Sequence, residues 1–326
     1  MQEWLLRRPA AGAVLEGDPM VSRPWGELPV AARAAIERRT GPVVRAEIPS
    51  AGRNSDFSAT LHLRDGGRVF CKGIADAGGR RGAMHRHEAE VNAWLPAVIA
   101  PRLLWRVEVG EWLLLGFECV AGRHADLAPG SPDPAKIVPV LDVMAEELAA
   151  CPVKAPLLAE QWGRLAAWRR LAKDLPPGLD PWARDHLDEL VAGEARAIEL
   201  VAGDHLVHTD LHSLNILVGD VGARVVDWAW SRRGNPAVDT AFLIPRLIAA
   251  GHEPEAAERW AESVVCWQGT PAATRTAFAV AIWGIWQLLE RDHPLPHRPA
   301  LTAAARAWAL HRLDQRVYGP AEDGQG

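Results

Sequence analysis

The sequence predicts an α+β protein of two lobes, a small antiparallel β-sheet first and a mainly helical half after it. Three observations carry that expectation. Short apolar and β-branched runs separated by glycine-bearing turns fill residues 43–120, the pattern of paired strands. From residue 134 onward, apolar residues recur at helical spacing, as in helices that bury one face. A chain of 326 residues with 48% hydrophobic content is long enough for one large or two modest cores, and its length favours two.

The elements follow in order. Strands are expected at 43–49, 58–63 and 68–72, with turns at 50–54 and 65–67. A helix with apolar positions 84, 91, 94 and 95 comes next. The run 111–120 reads as the last strand of the sheet, and the lobe boundary falls there: residues 1–118 as the first lobe, 119–326 as the second. In the second lobe, helices are expected at 134–150, 160–174, 181–201, 239–250, 254–266, 271–290 and 301–316. Proline-rich loops separate them at 176–181 and 292–299, and 319–326 reads as a frayed tail. There is no internal repeat or low-complexity tract.

The most informative stretch is His208-Thr-Asp210-Leu-His-Ser-Leu-Asn215, followed twelve residues later by Asp227 in Arg-Val-Val-Asp-Trp. Phosphoryl transfer is mostly positioning and electrostatics, so it needs few residues: a group to receive the hydroxyl proton and hard oxygen ligands for a divalent ion. Asp210 suits the first task; Asn215 and Asp227 offer the oxygens Mg²⁺ prefers. His208 is expected to orient the loop rather than to react. Short apolar runs at 206–208, 216–219 and 223–227 would set these groups on neighbouring strand ends. Lys72, at the end of a strand in the first lobe, could bring its ammonium to the phosphates, with an acid of the next helix as partner. Glu88 and Glu90 lie about 200° apart around such a helix, so only one of them can face Lys72.

This stretch resembles the catalytic core of the aminoglycoside phosphotransferase family, within the protein-kinase-like fold. The family pattern is His-Gly-Asp-Leu-His-x-x-Asn, then Ile-Asp-Trp, then Gly-Asp-Pro-x-x-Asp. Here Thr209 replaces the first glycine, and Asn235 replaces the middle aspartate of Gly234-Asn235-Pro236-Ala-Val-Asp239. Neither change removes a catalytic group. The resemblance covers most of the chain from about residue 42 and is specific near 208–239. It implies a two-lobed kinase-like enzyme that uses Mg²⁺ and ATP or GTP, with Asp239 bracing the catalytic loop. It implies that Gly52, Asn54 and Ser55 lie over the phosphates, and that Glu88 is the partner of Lys72, with Glu90 in reserve. It also implies a hinge at about 117–121, where the backbone of Phe117, Glu118, Cys119 and Val120 meets the adenine edge.

Only six residues, 228–233, separate Asp227 from Gly234, too few for an activation segment that holds a protein substrate. The expected acceptor is therefore a small-molecule hydroxyl. An aminoglycoside-like or other antibiotic is first by family; a sugar, amino alcohol or amino acid in a metabolic kinase is the alternative, and a nucleotide-binding pseudokinase is a third reading. Trp260, Trp267, Trp283 and Trp286 on the late helices read as core, with stacking on an acceptor as the other option. His205 and His212 read as loop packing.

Composition bounds the rest. Four cysteines, Cys71, Cys119, Cys151 and Cys266, show neither pairing nor metal-like spacing, so reduced thiols and a cytoplasmic, soluble protein are expected. No apolar run approaches the length of a membrane span. With 36 Lys+Arg against 41 Asp+Glu, nothing points to a nucleic-acid partner. Residues 119–326 hold 27 acids and 20 bases, interspersed as on solvated helix faces, so this excess is not read as a site for a cation.

Overall fold

The computed structural model describes residues 22–49, 55–149 and 152–318, with side chains as far as Asp314. Gly52 and Asn54, Cys151 and the tail from residue 319 lie outside the described residues. The first lobe begins with α1 (Val30–Thr40), which the sequence reading did not anticipate. It continues through β1 (Val43–Glu47), β2 (Phe57–Leu63), β3 (Arg68–Ile74), α2 (Arg80–Asn92), β4 (Leu103–Val109) and β5 (Trp112–Glu118). The strands form one antiparallel sheet in the order β1-β2-β3-β5-β4. β4 is also an addition: its half-buried positions 103, 105, 107 and 109 alternate with exposed ones, so a period-two signal was present. Trp105 lies across β5 where Gly116 leaves room; a Cβ there would stand 2.1 Å from the indole.

The second lobe opens with β6 (Arg123–His124) and α3 (Asp133–Glu147), followed by α4 (Leu158–Leu165) and α5 (Ala167–Asp174). The helix expected over 160–174 is thus two helices. Ala166, at φ 37° and ψ 56°, turns the chain between them, and the buried Glu194 accepts the backbone N–H groups of Trp168 and Arg169 at 2.9 and 3.2 Å. A side chain brought from another helix does the capping, so no local sequence signal marks the break. The expected 181–201 helix divides likewise into α6 (Pro181–Asp185) and α7 (Leu187–Leu200), where Glu194 resides.

Next come β7 (His205–Val207), β8 (Ile216–Gly219), β9 (Gly222–Val225) and β10 (Arg232–Gly234), and then α8 (Ala237–Ala249), α9 (Pro254–Ala261), α10 (Val265–Gln268), α11 (Ala272–Asp292) and α12 (Arg298–Tyr318). The expected 254–266 helix ends early at Ala261, and α10 is separate. β6, β8 and β9 form one small sheet; β7 pairs with β10.

α11 is the axis of this lobe, with nearly every residue from Thr274 to Leu289 buried. Trp168 reaches it because Gly284 has no side chain: a Cβ would meet the indole at 2.5 Å. The indole N–H then donates to Val280 O at 2.8 Å. Trp168 and Trp283 meet edge to face at 4.8 Å. Trp267, Trp283 and Trp286 are core residues, and Trp260 packs against that core. Among the described residues, no helix is long and apolar enough to cross a membrane.

Candidate active site

The first lobe's contribution starts at β3. Its residues Cys71 to Ile74 are all buried, so Lys72 is enclosed. Its ammonium donates to Glu88 Oε1 at 2.8 Å and to Asp227 Oδ1 at 3.0 Å. Glu88 is on the inner face of α2 with His85, Ala89 and Asn92, whereas Glu90 is exposed. The family position and the helix geometry therefore select the same glutamate. The Lys72–Asp227 contact joins the two lobes, and no sequence signal announced it. Burial alone would lower the Lys72 ammonium, but Asp227 and Glu88 outweigh it and hold it above the ordinary lysine value. Burial would likewise raise Asp227, yet Lys72 pulls that carboxyl down to about 2. Lys72 and Asp227 are both charged at neutral pH.

Ser55 is buried, lines the cleft, and lies 3.4 Å from His85 Nε2. Gly52 and Asn54, the other residues expected over the phosphates, are among those not described. Phe117, Glu118, Cys119 and Val120, the residues expected at the hinge, all line the cleft. Phe117 is paired on both sides within the sheet, and the Glu118 N–H donates to Arg102 O at 2.9 Å. Cys119 and Val120 follow the end of β5.

The second lobe supplies the loop between β7 and β8. His208 is fully buried, and both ring nitrogens are committed: Nδ1 accepts the Asp210 N–H at 3.2 Å and Nε2 lies 2.9 Å from Val226 O. Accepting at Nδ1 places the proton on Nε2, which donates to the carbonyl. Burial pulls this imidazole down to about 4, so it is neutral and bonds the loop to the residue before Asp227. Asp239 braces the same loop, its two oxygens accepting the His208 and Thr209 N–H groups at 2.8 Å each. Thr209 has φ 66°, the left-handed region that glycine adopts freely, and its hydroxyl donates to Trp230 O at 2.8 Å. Asn235 Oδ1 accepts the Ala237 N–H at the entry to α8.

Asp210, Asn215, Asp227, Lys72 and Glu88 all line one cleft of about 970 Å³ between the lobes. The Asn215 amide nitrogen donates to Asp210 O at 2.9 Å, which turns its oxygen to be the atom that could meet a metal. Asp227 adds carboxylate oxygen. Among the described residues, no group of three or more His, Cys, Asp or Glu could cage a metal. Two hard oxygen donors without a cage fit Mg²⁺, which keeps several waters and shares substrate phosphates.

Beyond Asp210 the cleft continues between the β6–α3 segment, α8 and the start of α12, lined by His124, Asp126, His212, Arg246 and His297 with apolar neighbours. Sequence reasoning did not reach Arg246 or His297. Each is an ordinary-looking residue at a helix end, and only the tertiary fold brings them to the cleft.

No protein-family model matches the chain. Among curated proteins, it is similar to the serine/threonine-protein kinase Aurora-1 of Arabidopsis thaliana, 25% identical over 125 residues, 36% of this chain and 42% of that one. The match thus spans less than half the length of that relative. Solved structures share the fold. An aminoglycoside phosphotransferase from Alicyclobacillus acidocaldarius subsp. acidocaldarius DSM 446 matches with TM-score 0.60 at 14% identity, covering 90% of this chain and 98% of that one. A thermostable mutant of aminoglycoside phosphotransferase APH(4)-Ia, in ternary complex with AMP-PNP and hygromycin B, gives 0.58 at 15% identity, over 86% and 99%. A putative fructosamine-3-kinase from Thermobifida fusca YX-ER1 gives 0.54 at 20%, over 86% and 98%. The chain therefore has the fold of the kinase-like small-molecule phosphotransferases.

Proposed function

We propose that this chain is a member of the aminoglycoside phosphotransferase-like kinases and transfers the γ-phosphoryl group of ATP to a hydroxyl of a small molecule. The observation that carries the reading is Lys72, bonded at once to Glu88 and Asp227 in the cleft that Asp210 and Asn215 also line. Residues 1–118 serve as the nucleotide lobe, and residues 119–326 hold the catalytic loop and the acceptor site.

In this reading Lys72 binds phosphate oxygens, and Glu88 fixes its position. Ser55 lies at the phosphate end of the cleft, while Cys119 and Val120 meet the base. Asn215 and Asp227 hold Mg²⁺, which supplies neutralisation of phosphate charge when bound with the nucleotide. Asp210 accepts the proton of the acceptor hydroxyl as its oxygen takes the phosphoryl group. The AMP-PNP bound to APH(4)-Ia supports ATP over GTP. Lys72, Asp210, Asn215 and Asp227 are all present and gathered at one cleft, which argues against a pseudokinase.

The neighbours divide on the acceptor. Hygromycin B in the APH(4)-Ia complex supports an antibiotic, and with it resistance by inactivation. The fructosamine-3-kinase supports a metabolite. Incubation with γ-labelled ATP, Mg²⁺ and a panel of hydroxylated antibiotics and metabolites tests the reaction. Asp210→Asn should depress turnover by about 10²–10⁴, the usual effect of a positioned base, while nucleotide binding persists. A near-normal kcat would remove Asp210 from that role.

A further inference from the structure

The structure assigns a binding site for a phosphate-type dianion to the junction of α2, α4 and β10, with Arg232 as its half-buried member and Arg80 and Arg164 as its exposed ones. None of the three lines the cleft, so the site is separate from the one above. Arg232 and Arg233 are neighbours in sequence with different surroundings. Arg233 pairs with Asp204. Arg232 has only neutral acceptors: its Nε donates to Gln161 Oε1 at 3.2 Å and its Nη1 to Ser231 O at 2.9 Å, with the ring centre of Trp230 5.9 Å from the guanidinium carbon. Among the described residues, its Nη2 has no hydrogen-bond partner and no carboxylate pairs with it.

The two flanking arginines arrive on helices that these bonds orient. Gln161 and Arg164 are three residues apart on α4, hence neighbours on one face. Arg80 and His87 are two turns apart on one face of α2, and His87 Nε2 lies 3.0 Å from Ser231 Oγ. Both helices thus bring an arginine to the chain at 231–232. The electrostatics agree. Burial pulls Arg232 down to about 10, and Arg164 and then Arg80 push in the same direction, with no carboxylate opposing them. By contrast, Glu108 raises Arg86 on the same α2, and Asp133 raises Arg123. The nearby acids are exposed and engaged elsewhere: Glu160 lies 3.6 Å from Arg164 in a surface pair of little worth, and Glu90 acts on His87. A half-buried cation among like charges is costly unless a counter-charge completes it. Guanidinium forks match phosphate oxygens, and a dianion answers two of the three charges where a carboxylate answers one. Bound there, the anion bridges α2 of the first lobe to α4 and β10 of the second.

The test compares melting temperatures of the full chain in sodium phosphate and in sodium chloride of equal ionic strength, so that general screening cancels. About 20 mM inorganic phosphate should raise the wild type by at least about 2 °C over chloride. Arg232→Gln should keep less than about a third of that rise, while melting in chloride within about 2 °C of wild type, because the guanidinium it removes is uncompensated. Arg233→Gln, which removes an adjacent charge already paired with Asp204, should keep the rise whole. If Arg232→Gln does not fold, the double variant of the exposed pair, Arg80→Gln with Arg164→Gln, decides, and should lose at least about half of the rise. No excess of phosphate over chloride in the wild type would overturn the inference. So would a full rise in folded Arg232→Gln or, where that variant fails to fold, in the double variant, and so would an equal loss in Arg233→Gln. Glycerol 3-phosphate, run alongside, separates the sources: a rise equal to that of inorganic phosphate assigns the site to the phosphoryl end of a larger molecule, and a rise with inorganic phosphate alone assigns it to the free ion.

Discussion

Thr209 offers a sharp test of how the catalytic loop is held. A β-branched residue at φ 66° carries a left-handed backbone cost of about 1–2 kcal/mol, which glycine would remove. Against this stands its buried hydroxyl, which donates to Trp230 O; leaving that carbonyl unpartnered costs about 1–3 kcal/mol. Glycine also adds about 0.5–1 kcal/mol of backbone entropy to be lost on folding. The terms predict that Thr209→Gly destabilises by about 1 kcal/mol even though it relieves strain. Thr209→Ser, which keeps the hydroxyl, should stay within about 0.5 kcal/mol of wild type, and Thr209→Val, which keeps the strain and loses the bond, should lose about 1–3 kcal/mol. Urea unfolding at neutral pH, compared at matched m-values, reads the order serine, glycine, valine. A glycine variant more stable than wild type, or a valine variant equal to it, would refute the role given to the hydroxyl.

Three further outcomes follow from the same geometry. Glu88→Gln should raise the nucleotide KM and lower kcat, because Lys72 loses a charged restraint, whereas the exposed Glu90→Gln should change neither; steady-state kinetics of both variants decides between them. Asp227→Ala should remove the Mg²⁺ dependence of ADP affinity, measured by calorimetry across Mg²⁺ concentrations, and an unaltered dependence would take Asp227 out of the metal site. Burial raises Asp239 to about 6, with the His208 and Thr209 amides opposing. As an acid with a raised folded value, it contributes stability that is complete below about pH 4 and lost as pH rises through about 6. Asp239→Asn should flatten that window in a melting-temperature profile, and a profile with the wild-type slope would count against it.

Legibility from sequence followed the range of the interactions. The catalytic loop was readable because Asp210 and Asn215 lie five residues apart and β7, β8 and β9 are local, with β8 and β9 forming a two-residue hairpin. Helix periodicity showed that only one of Glu88 and Glu90 could face Lys72, and the family resemblance pointed to Glu88. What escaped depended on distant partners. The break at Ala166 needs Glu194, the Lys72–Asp227 bond crosses 155 residues, and Arg246 becomes a cleft residue only because α8 packs on Trp286 of α11. The substitution of Thr209 for glycine was visible, but its meaning required the backbone angle.

The charge of the nucleotide site follows from these local environments taken together. Lys72 carries one positive charge against Glu88 and Asp227, and the two nearest imidazoles, His85 and His208, are held neutral by burial. The buried cluster therefore sets one basic group against two acidic ones before Asp210 is added, an imbalance that is unfavourable in a weakly polar interior unless compensated. Glu88 Oε2 is also buried without a hydrogen-bond partner, a position that would ordinarily cost about 1–3 kcal/mol. A core selected for stability alone would avoid both features, since apolar residues of similar volume often serve as well as a buried ion pair. Their presence at one cleft, beside the side-chain oxygens of Asn215 and Asp227, supports the Mg²⁺-holding role proposed for those two residues. Lys72 then has a double role. It holds Asp227 ionised and Glu88 in place in the free protein, and in the proposed function its bond to Asp227 must be shared with phosphate oxygens when the nucleotide enters.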